Sequence, residues 1–361
     1  MNTNDPYVKL MEQLGYPESS RLRAILEDLM TQEQAQMAAA LPGTAKEVAG
    51  KTGFKEDKVK EELDGLFFKG VVFPRGDFNN RELYRFARRI GQLHDGTQAT
   101  KQRDVVKDRG FYELWHDFVM NEWYLDTGKM IAASEQPRSR IIPAYKAIKD
   151  LPGVLPCEDF REVIKAQDKI AVVPCSCRYR TTSVDEHCEV CAEEERWNCL
   201  QFNRGAEYAI TRDTGKELNT DEALELIDRV EEDGLLHVWQ NNTNLTGPTV
   251  SCQCCTDCCM IYVPEKLVEG AWDKSHEKSR YEAVVNQDDC IGCQECVERC
   301  PYEAIEMVRP EPSASGKKSK KLKATIDPEK CWGCGVCVVG CESEALSMKQ
   351  VRPVEHIPAA A

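Results

Sequence analysis

The first 156 residues contain no cysteine, although the 361-residue chain has 19 of them. Thiol-based metal chemistry is therefore confined to the stretch from Cys157 onward. Long apolar runs are missing too: Ile170 to Pro174, among the longest, falls far short of the roughly 20 residues a membrane-spanning helix needs. The opening residues MNTNDPYVKL lack a basic segment followed by an apolar one, so no secretory signal is expected. Positive charge is scarce as well. A net charge of −14 argues against broad binding to nucleic acid or to an anionic membrane. Much of the acidity lies between Asp185 and Asp233, a field that favours a basic partner protein. No glycine-rich nucleotide loop, nucleophile elbow or zinc-protease helix is present, so a flavin or nicotinamide site is expected on a partner. With 30% charged residues and a mean hydropathy of −0.51, the chain reads as a soluble cytoplasmic protein without a membrane span.

In a reducing compartment cysteines serve as ligands or catalysts rather than disulfides, and an odd count does not suit a closed disulfide framework. The chain is long enough for two or three domains. Residues 1–105 read as mostly helical. Leu22, Ile25, Leu26 and Leu29 recur at helical spacing. Thr44 is placed to cap a short helix, KTGF makes a turn, and a second helix runs from about Glu56 to Lys69. Val71 to Phe73 and Leu83 to Phe86 then form a small wing, which gives a winged helix-turn-helix pattern. Its second helix mixes acid and base evenly, and charges over residues 1–100 roughly cancel. A DNA reader needs a basic stripe, so this winged-helix-like unit is expected to dock protein.

Residues 106–170 read as a helical connecting segment. Phe111, Tyr112, Trp115, Phe118, Trp123 and Tyr124 are spaced as helical core, and the prolines of 135–160 suggest an irregular link in which Cys157 is a buried structural thiol.

The clearest signal lies in residues 283–350. CIGCQECVERCP places Cys290, Cys293, Cys296 and Cys300 in C-x2-C-x2-C-x3-C-P spacing, and CWGCGVCVVGC repeats it at Cys331, Cys334, Cys337 and Cys341. Three thiolates at i, i+3 and i+6 wrap three corners of a cubane, and the fourth comes from elsewhere. The segment resembles a bacterial two-cluster ferredoxin. That resemblance implies two [4Fe–4S] clusters, one held by Cys290, Cys293, Cys296 and Cys341, the other by Cys331, Cys334, Cys337 and Cys300. Gly292, Gly333 and Gly335 are expected to let the backbone approach the clusters. Two departures stand out: Glu342 replaces the proline that usually follows the last cysteine, and Trp332 stands where a small aliphatic is common. A carboxylate at 342 is expected to lower the nearby potential unless exposure cancels it. The inter-motif loop RPEPSASGKKSKKLKA is basic, and residues 351–361 form a tail.

Residues 171–282 form a cysteine-rich middle domain. PCSCRYRTTSVDEHCEVCAEEERWNC carries Cys175, Cys177, Cys188, Cys191 and Cys199, while SCQCCTDCC carries Cys252, Cys254, Cys255, Cys258 and Cys259. Ten thiols suffice for two four-coordinate sites, as one or two further [4Fe–4S] clusters or as zinc; redox-active thiols are the remaining option. A helix beginning at Asn219–Thr220 is expected to bring the two groups face to face. Arg178 and Arg180 either neutralise an anionic cluster or are surface charge, and His187 is a ligand or a bystander. PCSCR combined with CxCCxxCC resembles, over about 170–350, a family of anaerobic iron–sulfur proteins with C-terminal ferredoxin modules. The resemblance implies metal binding and electron transfer and names no substrate.

The fold class expected is α+β: a helical winged-helix-like domain, a cysteine-rich domain and a ferredoxin-like two-cluster domain. The function expected is single-electron transfer within an anaerobic oxidoreductase complex, without catalytic side chains, beside a redox partner such as a flavoprotein or reductase subunit. Two alternatives remain open. One is a reductase with a substrate-reducing cluster in the cysteine-rich domain, and the other is an iron–sulfur redox-sensing transcriptional regulator.

Overall fold

The computed structural model describes residues 5–100, 103–186, 197–309 and 321–360. It divides into two compact units, one of residues 1–127, 171–197 and 204–217, the other of 128–170, 198–203 and 218–361. Helix and sheet are mixed, in keeping with an α+β class.

Helices dominate the first unit. Ser19 accepts a hydrogen bond from the Leu22 N–H and caps the helix Ser20–Leu29, whose apolar spacing buries Leu22, Ile25, Leu26 and Leu29 on one face. Thr44 and Glu47 form a reciprocal capping box for the helix Ala45–Thr52. Gly53, at φ 81°, ends that helix, and the helix Glu56–Phe68 comes next. Strand Gly43–Thr44 pairs antiparallel with Leu83–Tyr84, and bridges join Val72 to Phe86 and Arg75 to Leu83. A close approach outside any motif holds this region to the helix Ile90–Gln98. A Cβ on Gly70 would lie 1.9 Å from the Gly96 carbonyl oxygen, so no larger residue fits there. The aromatic stretch is core: Phe111, Tyr112, Trp115 and Phe118 are buried along the helix Arg109–Phe118. That helix and the helix Ile90–Gln98 both pack against the helix Ser176–Ser183.

In the second unit, residues 135–160 are not merely a link. They supply the strand Ser139–Ile142, which pairs parallel with His276–Glu277 and antiparallel with Leu236–Gln240. The latter pairs antiparallel with Gln253–Cys254. Pro137 and Pro143 flank the strand instead of interrupting it, so no ladder N–H is lost, and Ile141 and Ile142 are buried. Cys157 is buried, as expected, and its carbonyl accepts from the Arg140 guanidinium.

The motif-bearing segment forms two separate ribbons, Tyr281–Val285 with Leu346–Gln350 and Ile305–Val308 with Lys323–Ile326. Short helices Glu295–Glu298 and Val336–Val339 carry the third cysteine of each motif. The helix Thr220–Glu232 starts at an Asn219–Glu222 capping box. It packs on the helices Phe160–Lys165 and Val336–Val339, not between two cysteine groups. Arg299 pins its C-terminal end, donating to the Glu231 carbonyl at 2.9 Å and the Glu232 carbonyl at 2.8 Å, and also to Val336 O at 2.9 Å. Arg280 and Glu158 make a fully buried ion pair, Nε to Oε1 2.8 Å.

Candidate functional site

The two ribbons and the loops between them frame two cavities. Cys290, Cys293, Cys296 and Cys341 line one, with Met307 and Leu346 behind them, around about 340 Å³ of empty space. Cys300, Cys331, Cys334 and Cys337 line the other, around about 320 Å³, with Tyr302 and Trp332 in its wall. Each cavity thus gathers three thiols of one motif and the fourth of the other. The exchange results from chain direction. Each CxxCxxC loop turns into a short helix, and the cysteine past the end of that helix lies beside the opposite loop.

The cavities differ in exposure. Cys293 is exposed, and Cys290 and Cys341 are half-buried, whereas Cys331, Cys334 and Cys337 are all buried. Burial pushes the Cys334 thiol up to about 12 and the Cys296 thiol up to about 11, the latter helped by Cys293 and Cys290. It also raises Cys337 and Cys300. The physical cause is the cost of an uncompensated thiolate in a low-dielectric site. A cationic iron–sulfur core removes that cost by taking the proton's place, so this donor set fits such a group.

Gly292 and Gly333 have φ of 77° and 71°, and protein backbone packs closely against both. Their missing side chains would strike protein backbone: Leu322 O at 2.4 Å for Gly292 and Tyr281 O at 2.1 Å for Gly333. Here glycine serves loop-to-strand packing. Trp332 is explained as well. Its ring stacks on Tyr302 at 5.1 Å and 10° and meets Trp272 edge-on at 6.2 Å, an aromatic wall no small aliphatic provides. Glu342 is exposed, and at that position solvent screens its carboxylate.

The cysteine-rich positions separate into three sets. Cys175 and Cys177 sit at the start of the helix Ser176–Ser183 in the first unit, within hydrogen-bonding reach of each other. Cys188, Cys191 and His187 lie outside the described residues. In the second unit, Cys199 and Cys252 are in hydrogen-bonding reach, and Cys252 is likewise close to Cys254 and Cys259. The Cys254 and Cys259 sulfurs are 2.9 Å apart. Cys255 and Cys258 are buried. Strand pairing brings Cys199 to the later group, through Leu200 opposite Ser251 and Gln201 opposite Val250. The Thr220–Glu232 helix is not the agent. Among the described residues no three His, Cys, Asp or Glu side chains adopt the tight arrangement of a single-ion site. All described cysteines are free thiols.

Residues 289–345 match the family model of the 4Fe-4S dicluster domain. The dicluster match makes this stretch a place of 4Fe–4S cluster binding, and it supports an iron–sulfur electron-transfer role. No curated protein matches the chain. Among the described residues, no helix is long and apolar enough to cross a membrane.

One neighbourhood beside the thiols was not legible in the sequence. Tyr262, Tyr302, Trp332 and half-buried Trp272 form one apolar cluster with Cys254, Cys259 and Cys334. It lies between the Cys252–Cys259 thiols and the walled cavity. Only the unusual Trp332 hinted at it.

Proposed function

We propose that the protein carries single electrons within an anaerobic oxidoreductase complex in the cytoplasm. Two [4Fe–4S] clusters are held by Cys290, Cys293, Cys296, Cys341 and by Cys331, Cys334, Cys337, Cys300. The observation that carries the reading is the exchange of the fourth thiol between two separate cavities, supported by the dicluster match. When bound, such clusters supply reversible one-electron storage. The chain's own residues do the rest: eight thiolates fix two sites side by side, the Tyr302–Trp332 wall keeps water from one of them, and Cys293 leaves the other accessible to a partner such as a flavoprotein or reductase subunit. A further cluster or zinc in the second unit rests on Cys199, Cys252, Cys254 and Cys259, which lie together, with Cys255 and Cys258 as remaining donors there; Cys175, Cys177, Cys188 and Cys191 are candidate donors of a separate site.

The N-terminal unit is read as a winged-helix-like module, and its role in this reading is protein docking. Lysines of its second helix are already matched: Lys58 meets Glu33 at 2.6 Å, and Lys60 meets Asp64. Phosphate binding needs unpaired cations.

Anaerobic iron and sulfide analysis of the full chain tests the function. At least about eight of each per chain is expected from two cubanes, and Cys300→Ser should alter the electron paramagnetic resonance signal of one cluster and spare the other. Stoichiometric zinc in place of iron sinks the reading.

A further inference from the structure

Arg180 lies in the helix Ser176–Ser183 and is 1% exposed, so it is not surface charge. Among the described residues no carboxylate pairs with it directly. Its Nη1 reaches His116 Nδ1 at 2.8 Å, its Nη2 reaches Tyr124 Oη at 3.3 Å, and its Nε has no partner. Both partners are neutral groups. Burial and the adjacent guanidinium hold His116 below its ordinary pKa. His116 Nδ1 must then accept from Arg180, and its Nε2–H faces Glu186 at 3.1 Å. Through His116 a compensating carboxylate, Glu186, is thus one residue removed and largely exposed.

Polar groups with unfilled hydrogen-bonding capacity lie on the two helices packed against that of Arg180. His94 Nε2, both amide atoms of Gln98, Trp115 Nε1 and Tyr112 Oη have no partner, and all four side chains are 0% exposed. His94 and Gln98 stand one turn apart on the helix Ile90–Gln98, which places them on one face. Trp115 and Tyr112 stand three apart on the helix Arg109–Phe118. The His94 and Trp115 rings meet edge-on at 5.2 Å, so the two faces share one junction. Arg180 is near enough to disfavour a charge on His94, whose pKa burial already lowers. Buried polar atoms left unpaired are costly, so several at one junction call for a ligand that satisfies them together.

We propose that the junction of the helices Ile90–Gln98, Arg109–Phe118 and Ser176–Ser183 binds a small oxyanion that also carries a hydroxyl group. Arg180 Nε, Trp115 Nε1 and the Gln98 amide N–H donate to the anionic oxygens. His94 donates through Nδ1 to Asp95 at 2.9 Å, which leaves its Nε2 as an acceptor. With Gln98 Oε1 it receives the hydroxyl. A buried cation facing surplus donors selects for negative charge, and the two acceptors select for the O–H.

The site makes no use of the eight dicluster thiols, so it stands or falls apart from the electron-transfer reading. The test is calorimetric titration of the anaerobically prepared full chain with glycolate, hydrogen phosphate, acetate and chloride. Glycolate and hydrogen phosphate should bind, acetate more weakly, and chloride not at all. Arg180→Met should abolish binding. Trp115→Phe keeps an aromatic core while removing one donor, and should weaken binding about tenfold. A response to chloride equal to that for glycolate overturns the proposal, as does unchanged binding in both variants. A Cys175→Ser/Cys177→Ser double variant identifies the source of the anion. Retained glycolate binding supports the free oxyanion. Loss of binding together with loss of iron assigns Arg180 to an anionic cluster held by those thiols and overturns the proposal.

Discussion

The two cavities of the dicluster segment share one ligand spacing and differ in what surrounds it. Cys290, Cys293, Cys296 and Cys341 form a rim open to solvent at Cys293, whereas Cys300, Cys331, Cys334 and Cys337 sit behind stacked Tyr302 and Trp332. Spacing decides which group is bound, and surroundings decide how readily it accepts charge. Adding an electron to an anionic centre costs more where dielectric is low. The walled site should therefore have the lower potential and the open one the easier exchange with a partner.

The largest effect expected is from cutting the shared interior. Cys337 is buried where the two cavities adjoin, close enough to Cys296 to feel its charge. Cys337→Ser should lose about four irons, one cubane, and also lower the melting temperature. Cys293→Ser, at the exposed rim, should lose iron with a smaller melting shift. Equal melting losses in anaerobic calorimetry would break the contrast. Next comes Glu158→Gln. It leaves Arg280 buried and unpaired, which costs about 3–5 kcal/mol in denaturant unfolding. The Gly333 loop packs on Tyr281, next to that arginine, so the walled site should release iron first on denaturation.

Trp332→Leu should raise the potential of the walled site toward that of the open one and cost about 1–3 kcal/mol of stability. Redox titration followed by electron paramagnetic resonance reads the shift, and an unchanged difference between the two sites would show that the wall does not set it. A pH test probes the same neighbourhood from behind. Burial pushes Glu265 from 4.5 up to about 8, beside His276, which burial pushes down to about 3. Both are neutral at pH 7. Because the folded carboxyl keeps its proton after the unfolded one has lost it, the Glu265 contribution falls as pH rises from 4.5 to about 8; up to 6.5 the neutral folded His276 offsets it, so the net fall in stability comes between 6.5 and about 8. Glu265→Gln should flatten that fall in melting temperature. The smallest effect expected is from Glu342→Ala: an exposed carboxylate is screened, so the potential of the open site should barely move.

Repetition made the dicluster segment legible. Two identical spacings left little freedom for their chemistry, and the capping residues Thr44 and Asn219 marked helix starts that the structure shows. The strand Ser139–Ile142 was hidden because a four-residue strand between prolines carries too little pattern to oppose the reading of a link. Cys199 was grouped with Cys175 by nearness in sequence, yet it joins Cys252 and Cys254 because strands pair across some fifty positions. Arg180 read as either a cluster-neutralising cation or surface charge, since helical spacing does not show which face three packed helices will cover.

The sequence by itself determined the ligand chemistry: which residues are thiols, at what spacing, and that none precedes Cys157. Coordination spacing is local, written into the reach of a few residues. Only the tertiary structure decided which thiol completes each cavity, which cavity is walled, and that Arg180 is buried beside unpaired donors. Burial and dielectric depend on elements far apart in the chain, and no local pattern carries them.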